Sequence, residues 1–301
     1  MRELRYIIGE QSDGLPVRSI LKSCLKCSTS VISRLKNTDG IILNGESVWA
    51  NRQVKSGDEL ILLIDRGESS SESIVPVRLD FGIVYEGEDF LVADKPSGMP
   101  THPSHGNYLS SLANALAWHY KERGESFVFR AVGRLDKNTS GLVLIAKNSY
   151  AAALAGELAA RGKIYKEYLA VVRGNAPDSG VIEAPIERDG ETVIGRRVGE
   201  GGKSAATEFK LIKSGAGMSL LSVVTHSGRT HQIRVHLSHI GLPLVGDFIY
   251  GTEDPLLERH ALHMRRLSFT NPVTGEPLDF SSALPDELKS LINKNIGSTQ
   301  L

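Results

Sequence analysis

Residues 133–141, Gly-Arg-Leu-Asp-Lys-Asn-Thr-Ser-Gly, run into the apolar stretch 142–146 and place Asp136 on a loop at the edge of a buried strand. Reactive groups collect on loops held by a rigid scaffold, and a carboxylate held there can attack carbon or remove a proton. Alone, the segment reads equally as a surface loop with an Arg–Asp contact. A second segment, 228–237, crowds Arg229, His231, Gln232, Arg234 and His236 into ten residues. Its spacing predicts a helix with one side packed and the other offering donors. Guanidinium forks suit phosphates and carboxylates. In a third segment, 163–174, Lys166, Tyr168, Ala170 and Val172 share one face of an extended strand. A tyrosine there can stack on a nucleobase and hydrogen-bond to it, or simply pack.

Other chemistries find less support. His231, His236 and His239 lack the H-E-x-x-H pattern and the deaminase H-x-E with P-C-x-x-C, so no metal is expected. Neither a G-x-S-x-G elbow nor a P-loop occurs. Cys24 and Cys27 form a lone C-x-x-C without the second ligand pair of a structural zinc site, and read as packing or incidental cysteines.

These segments need elements to position them. The 301 residues carry 35 Lys and Arg against 35 Asp and Glu, with 41% hydrophobic, which excludes gross disorder and leaves room for a large and a small domain. No stretch approaches the roughly 18–20 apolar residues of a membrane span. The first residues mix charges of both signs without an apolar signal core, so a cytoplasmic protein away from membranes is expected. Zero net charge gives no global basic signature, and any nucleic-acid binding must use local charge. Arg18, Lys22, Lys26, Arg34 and Lys36 supply such charge, with no acid among residues 18–36. A solvated face is the bland alternative. The same stretch predicts two short amphipathic helices, with an N-cap among residues 28–30. Turns at Asn44-Gly45 and at 55–58 predict flanking strands and close a compact αα-β unit over residues 1–64. Serine-rich residues 65–76 predict a linker. Across 77–297, β-branched runs outnumber the helices expected at 109–120, 149–160 and near 233–240, and they do not alternate as βαβ units. An α+β domain with a mainly antiparallel mixed sheet follows.

Several of these segments recur together in a known order: Asp94-Lys95-Pro96-Ser97-Gly98, GRLDKNTSGLVLIAKN from Gly133, Lys166-x-Tyr168-x-Ala170-x-Val172-x-Gly174, Lys203-Ser204-Ala205, and GRTHQIRVHLSHIGLPLVGDFIYG from Gly228. In that order they resemble the RluA-type pseudouridine synthases over about residues 77–285. The N-terminal unit is similar to the S-four-like RNA-binding module that often precedes such a domain. The resemblance implies isomerisation of specific uridines in structured RNA to pseudouridine, without cofactor; a monomer is the default expectation. It favours large-subunit ribosomal RNA, with transfer RNA the other substrate. It implies Asp136 as the essential aspartate, Arg234 as its basic partner and Tyr168 as the tyrosine contacting the target base. Arg134 resembles the residue that fills the space left by a flipped nucleotide. Arg229 and the N-terminal cations are expected to grip phosphates. One departure is Gly133, where many members carry histidine. The alternative is a non-catalytic RNA-binding or ribosome-assembly protein of the same fold.

Overall fold

A computed structural model describes residues 2–65, 71, 73–190 and 194–298, so linker residues 66–70 and 72 lie outside the described residues. The chain opens with strand β1 (Arg2–Ile7), whose side chains alternate between half-buried and exposed. The sequence expectations omit this strand, because charges at Arg2, Glu3 and Arg5 obscure a period of two carried by Leu4 and Tyr6. Helices α1 (Val17–Ser23) and α2 (Thr29–Asn37) follow, then β2 (Ile41–Leu43), β3 (Glu46–Ser47) and β4 (Glu59–Ile64). The sheet order β1-β4-β2-β3 gives β4 a partner on each side. Ser28 is the expected N-cap of α2, its Oγ accepting from the Val31 amide at 3.3 Å, a contact worth about 1 kcal/mol. Ile20, Leu21, Val31 and Leu35 pack on Leu60 and Leu62 in a core that includes Cys27, while Cys24 is exposed.

The rest of the chain builds β5 (Gly82–Glu86), β6 (Phe90–Lys95), α3 (Leu112–Glu122), β7 (Ser140–Ala146), α4 (Ser149–Ala160), β8 (Tyr165–Arg173) and β9 (Ser179–Glu183). A ribbon of β10 (Ile186–Arg188) and β11 (Arg196–Val198) precedes β12 (Ala206–Gly215), β13 (Met218–Thr225), α5 (Gln232–His239), β14 (Leu262–Thr270), β15 (Pro277–Ser281) and α6 (Asp286–Asn295). One nine-stranded sheet runs β5-β6-β7-β14-β8-β13-β12-β9, with β15 on the flank of β14. Its pairings are antiparallel apart from β7 with β14, which gives the expected α+β architecture. Helix α3 starts at Leu112 rather than near 109 because Ser111 and Asn114 form a capping box. Helix α4 follows the expected Asn148 cap, and its Tyr150 and Leu154 enter the N-terminal core.

The single parallel contact explains the Ser-Gly that opens β7. His263 lies opposite Ser140 and Met264 opposite Gly141. Gly141 adopts φ +110°, and a Cβ there would stand 2.2 Å from the Met264 carbonyl oxygen. Only glycine lets the two backbones approach this closely. The loop that carries Asp136 therefore ends in a fixed backbone junction.

Candidate active site

A cavity of about 410 Å³ opens where the loop before β7, strand β8 and the start of α5 meet. Asp136, Arg234 and Tyr168 all line it, as do Arg134, Arg229 and Lys166. The structure thus brings together residues that the sequence separates by almost a hundred positions. Leu142, Leu144, Met264 and Leu267 form an apolar side, while Ser227 and Thr230 stand with the two arginines on a polar side.

The Asp136 loop is held from four directions. Thr101 Oγ1 accepts from the Leu135 amide at 3.1 Å and donates to the Leu135 carbonyl at 3.0 Å. Lys95 is fully buried, and its Nζ donates to the carbonyls of Pro96, Met99 and Lys137 at 2.9, 2.7 and 3.2 Å. Burial pulls its pKa down to about 7 against the opposing charge of Asp136. Arg259 Nη1 donates to the Asn138 carbonyl at 3.1 Å, and the Thr139 hydroxyl is hydrogen-bonded to His260 Nε2 at 2.8 Å. Burial lowers the His260 pKa to about 3, so the ring is neutral.

Arg234 meets two carboxylates. Its Nη1 lies 3.5 Å from Asp136 Oδ2, while Nε and Nη2 fork onto Asp247 at 2.7 Å each. Asp247 is fully buried and also accepts from the amides of Ile249 and Tyr250. Burial alone would raise the Asp247 pKa, but the Arg234 fork and charge outweigh it and hold the carboxyl below its ordinary range. The expected Arg234–Asp136 pairing is therefore present as the longer contact, and Asp247 fixes the guanidinium. His231 Nε2 stands 3.9 Å from Asp136 Oδ2, and its Nδ1 is hydrogen-bonded to the Tyr250 hydroxyl at 2.7 Å. The Tyr250 ring lies 5.0 Å from the Arg234 guanidinium. His231 takes a left-handed φ of +58°, and burial lowers its pKa. Backbone strain of this kind collects at functional sites.

Asp247, His231, Tyr250 and Lys95 were given no role from the sequence. All four stand inside the quoted motifs or beside them, but spacing along the chain does not reveal which charge faces which. On α5, residues Gln232 to Leu237 are all buried, and Arg234 offers its donors to Asp136 and Asp247 at the cavity. Gln232 Nε2 and His236 Nδ1 are hydrogen-bonded to Thr207 Oγ1 at 3.0 and 2.9 Å, while Gln232 Oε1 accepts from Ser227 and the Arg229 amide and His236 Nε2 meets the Ala184 carbonyl. The β12 strand covers the side of the helix that carries Gln232 and His236.

Tyr168 sits on β8 between Val223 of β13 and Met264 of β14 and is 9% exposed. Burial raises its phenol pKa, and the Asp136 charge raises it further, so it is a neutral hydroxyl. At the rim, Arg134 Nη2 donates to Thr230 Oγ1 at 2.6 Å and Arg229 Nε to the Ser204 carbonyl at 3.0 Å. Gly133 lines the cavity with φ +93° and open space beside its Cα, a conformation in which a histidine would be strained. Arg18, Lys22, Lys26 and Lys36 are exposed on the N-terminal unit and do not line the cavity. Arg34 is turned instead to Asp65, at 3.0 Å. Among the described residues, no helix is long and apolar enough to cross a membrane.

A neutral tyrosine and an aspartate with a fixed guanidinium, set beside an apolar slot, suit chemistry at the sugar of a bound nucleoside. The family model described as RNA pseudouridylate synthase matches residues 89–239. The chain is 38% identical over 293 residues to the uncharacterized RNA pseudouridine synthase YhcT of Bacillus subtilis, covering 96% of each chain. It is 33% identical to ribosomal large subunit pseudouridine synthase D of Yersinia pestis, over 84% of this chain and 82% of that one. Among solved structures, human RNA pseudouridylate synthase domain containing 1 matches with a TM-score of 0.61 and 28% identity, over 74% of this chain and 90% of that one. The chain belongs to the RNA pseudouridylate synthase family. It is an enzyme that isomerises uridine in RNA to pseudouridine.

Proposed function

We propose that Asp136 begins this isomerisation, with Arg234 as its charge partner and Tyr168 as the contact to the target base. The observation that carries the reading is the convergence of these three side chains on one cavity, with Arg234 Nη1 3.5 Å from Asp136 Oδ2. Detaching uracil, turning it and rejoining it through carbon 5 requires no redox change and no external donor. The carboxylate can attack the anomeric carbon or remove a sugar proton, and both routes start from the same position.

A base within folded RNA reaches Asp136 only if its nucleotide is extruded, at a cost of a few kcal/mol. Stacking on Tyr168 offsets about 1–3 kcal/mol of this. Arg134 takes the vacated space in the duplex, and Arg229 beside it contacts phosphate. Residues 1–64 act as an S-four-like RNA-binding module, joined through a linker at 65–76 to a catalytic domain at 77–297. Arg18, Lys22, Lys26 and Lys36 supply its phosphate contacts, and Arg34 stands behind them in its pair with Asp65. The substrate is large-subunit ribosomal RNA, supported by the relatives named ribosomal large subunit pseudouridine synthase D. The protein works as a cytoplasmic monomer. Mapping pseudouridine in RNA from cells with and without the gene tests the assignment. Loss of one or more sites in large-subunit ribosomal RNA is expected, and loss confined to transfer RNA would overturn the substrate.

A further inference from the structure

Lys166 has no part in the roles above. It stands two residues before Tyr168 on β8, so both side chains leave the same face of the strand, and both line the cavity. It is half-buried, yet makes no hydrogen bond or ion pair with any described residue. Its register partner on β14 is Leu267, which lines the apolar side of the cavity together with Met264, the partner of Tyr168. The arginines suited to phosphate stand on the polar side. An ammonium in an apolar setting without a counter-ion is unfavourable, and its pKa is accordingly held below the ordinary lysine range by burial. The missing negative charge must come from whatever fills the cavity.

Resting on the function proposed above, the apolar side receives uracil. The bound base is neutral. When the bond between C1′ and N1 breaks, by either route from Asp136, its electron pair stays with the base and spreads over N1, O2 and O4. We propose that Lys166 is a catalytic residue whose ammonium donates a hydrogen bond to a carbonyl oxygen of the detached uracil and stabilises that anion. The lysine neither gains nor loses a proton. The electron pair is returned when C5 bonds to C1′, as the Asp136 carboxylate leaves C1′ or, by the other route, gives the sugar proton back to C2′; the hydrogen on C5 then leaves as a proton and N1 takes one up. Placing positive charge where negative charge develops lowers the barrier without tightening the ground state. The same contact keeps the free base in the cavity while it turns.

The test compares wild type with Lys166→Met in single turnover on a large-subunit ribosomal RNA transcript carrying the mapped uridine. The same transcript with 5-fluorouridine at that position is run beside it, both followed by nucleoside analysis. Fluorine makes the uracil anion a better leaving group that depends less on outside stabilisation. On uridine the rate constant should fall about 100-fold, as on removal of one oxyanion donor. The defect should shrink at least about tenfold on 5-fluorouridine, with RNA affinity unchanged. Lys166→Arg should recover part of the rate. The melting temperature of Lys166→Met should equal or exceed that of wild type, because an uncompensated charge has gone. Equal losses on both substrates, an unchanged rate, or weaker RNA binding with a shallower salt dependence would each overturn the inference. If Lys166→Met misfolds, Lys166→Gln gives the same comparison. Failure of the wild type to convert uridine would instead overturn the functional reading on which the inference rests.

Discussion

Arg234 carries one positive charge between two carboxylates, at 2.7 Å from Asp247 and 3.5 Å from Asp136. The shorter, forked contact is buried and sets the side chain, and the longer one remains open to substrate. Removing one partner of a buried pair strands the other charge, so Asp247→Ala should cost about 3–5 kcal/mol in urea denaturation. It should also lower kcat without weakening RNA affinity, because the guanidinium loses its aim. A variant of normal stability and turnover would show that Asp247 is dispensable. Asp136 is 19% exposed and answers differently. Asp136→Ala should abolish pseudouridine formation with the melting temperature and RNA affinity largely kept, and measurable turnover would remove it from the mechanism. Asp136, Arg234 and Tyr168 were legible because each sits in a run of distinctive residue types. Asp247 stood in the same run as Arg234 but gave no sign of its partner, because the turn that aims it exists only in three dimensions.

At the scale of elements, β14 holds the start of β7 through a histidine that stays neutral. His263 Nδ1 is hydrogen-bonded to Ser140 Oγ at 3.0 Å, and burial lowers its pKa to about 4 from an ordinary 6.5. Above pH 6.5 the ring is neutral in both the folded and the unfolded chain, so it carries no penalty. Between pH 6.5 and about 4 the unfolded chain binds a proton that the folded one refuses, and stability falls as pH falls. The loss approaches roughly 3 kcal/mol near pH 4. His263→Gln should flatten this acid slope in denaturation measured at pH 7 and pH 5, and an unchanged slope would assign the loss to other groups. The helices and strands around these residues were largely readable from capping and period, as Ser28 and Asn148 illustrate. The partners of α5 were not, because Gln232 meets Thr207 on a strand some 25 residues earlier in the chain and Arg234 meets Asp247 in a turn after the helix. The basic helices α1 and α2 make a separate prediction. Replacing Lys22, Lys26 and Lys36 by alanine should weaken RNA binding and reduce its salt slope by up to about 2–3, while leaving turnover at saturation unchanged. An unaltered slope would mean that these cations are merely solvated.

At the scale of the whole molecule, the four-stranded and nine-stranded sheets are tied together by Asp65 at the end of β4. Its carboxylate accepts from the Ser149 amide at 2.8 Å and the Ser149 hydroxyl at 2.5 Å, and it pairs with Arg34 at 3.0 Å and Arg130 at 3.4 Å. Burial opposes its ionisation, but the Ser149 hydrogen bonds and the arginine charges outweigh that and hold its pKa low. The contact falls on the first turn of α4, the helix whose Tyr150 and Leu154 enter the N-terminal core. Tyr150 adds a hydrogen bond from its hydroxyl to the Leu25 carbonyl at 2.6 Å, and Arg2 of β1 pairs with Asp89 at 3.0 Å. The orientation of the basic helices relative to the cavity is thus set by part-buried polar contacts as well as by apolar packing. Hydrogen bonds to charged groups are worth about 1.5–3 kcal/mol, so Asp65→Ala should lower stability by that order. It should also speed hydrogen exchange at the start of α4 and along β4, and leave β7 and β8 protected. On the proposal that a long ribosomal RNA engages both units at once, turnover on it should fall, and change little on a short stem-loop that occupies the cavity alone. Equal turnover changes on the two substrates, or unchanged exchange at α4, would mean that the apolar contacts alone fix the N-terminal unit in place.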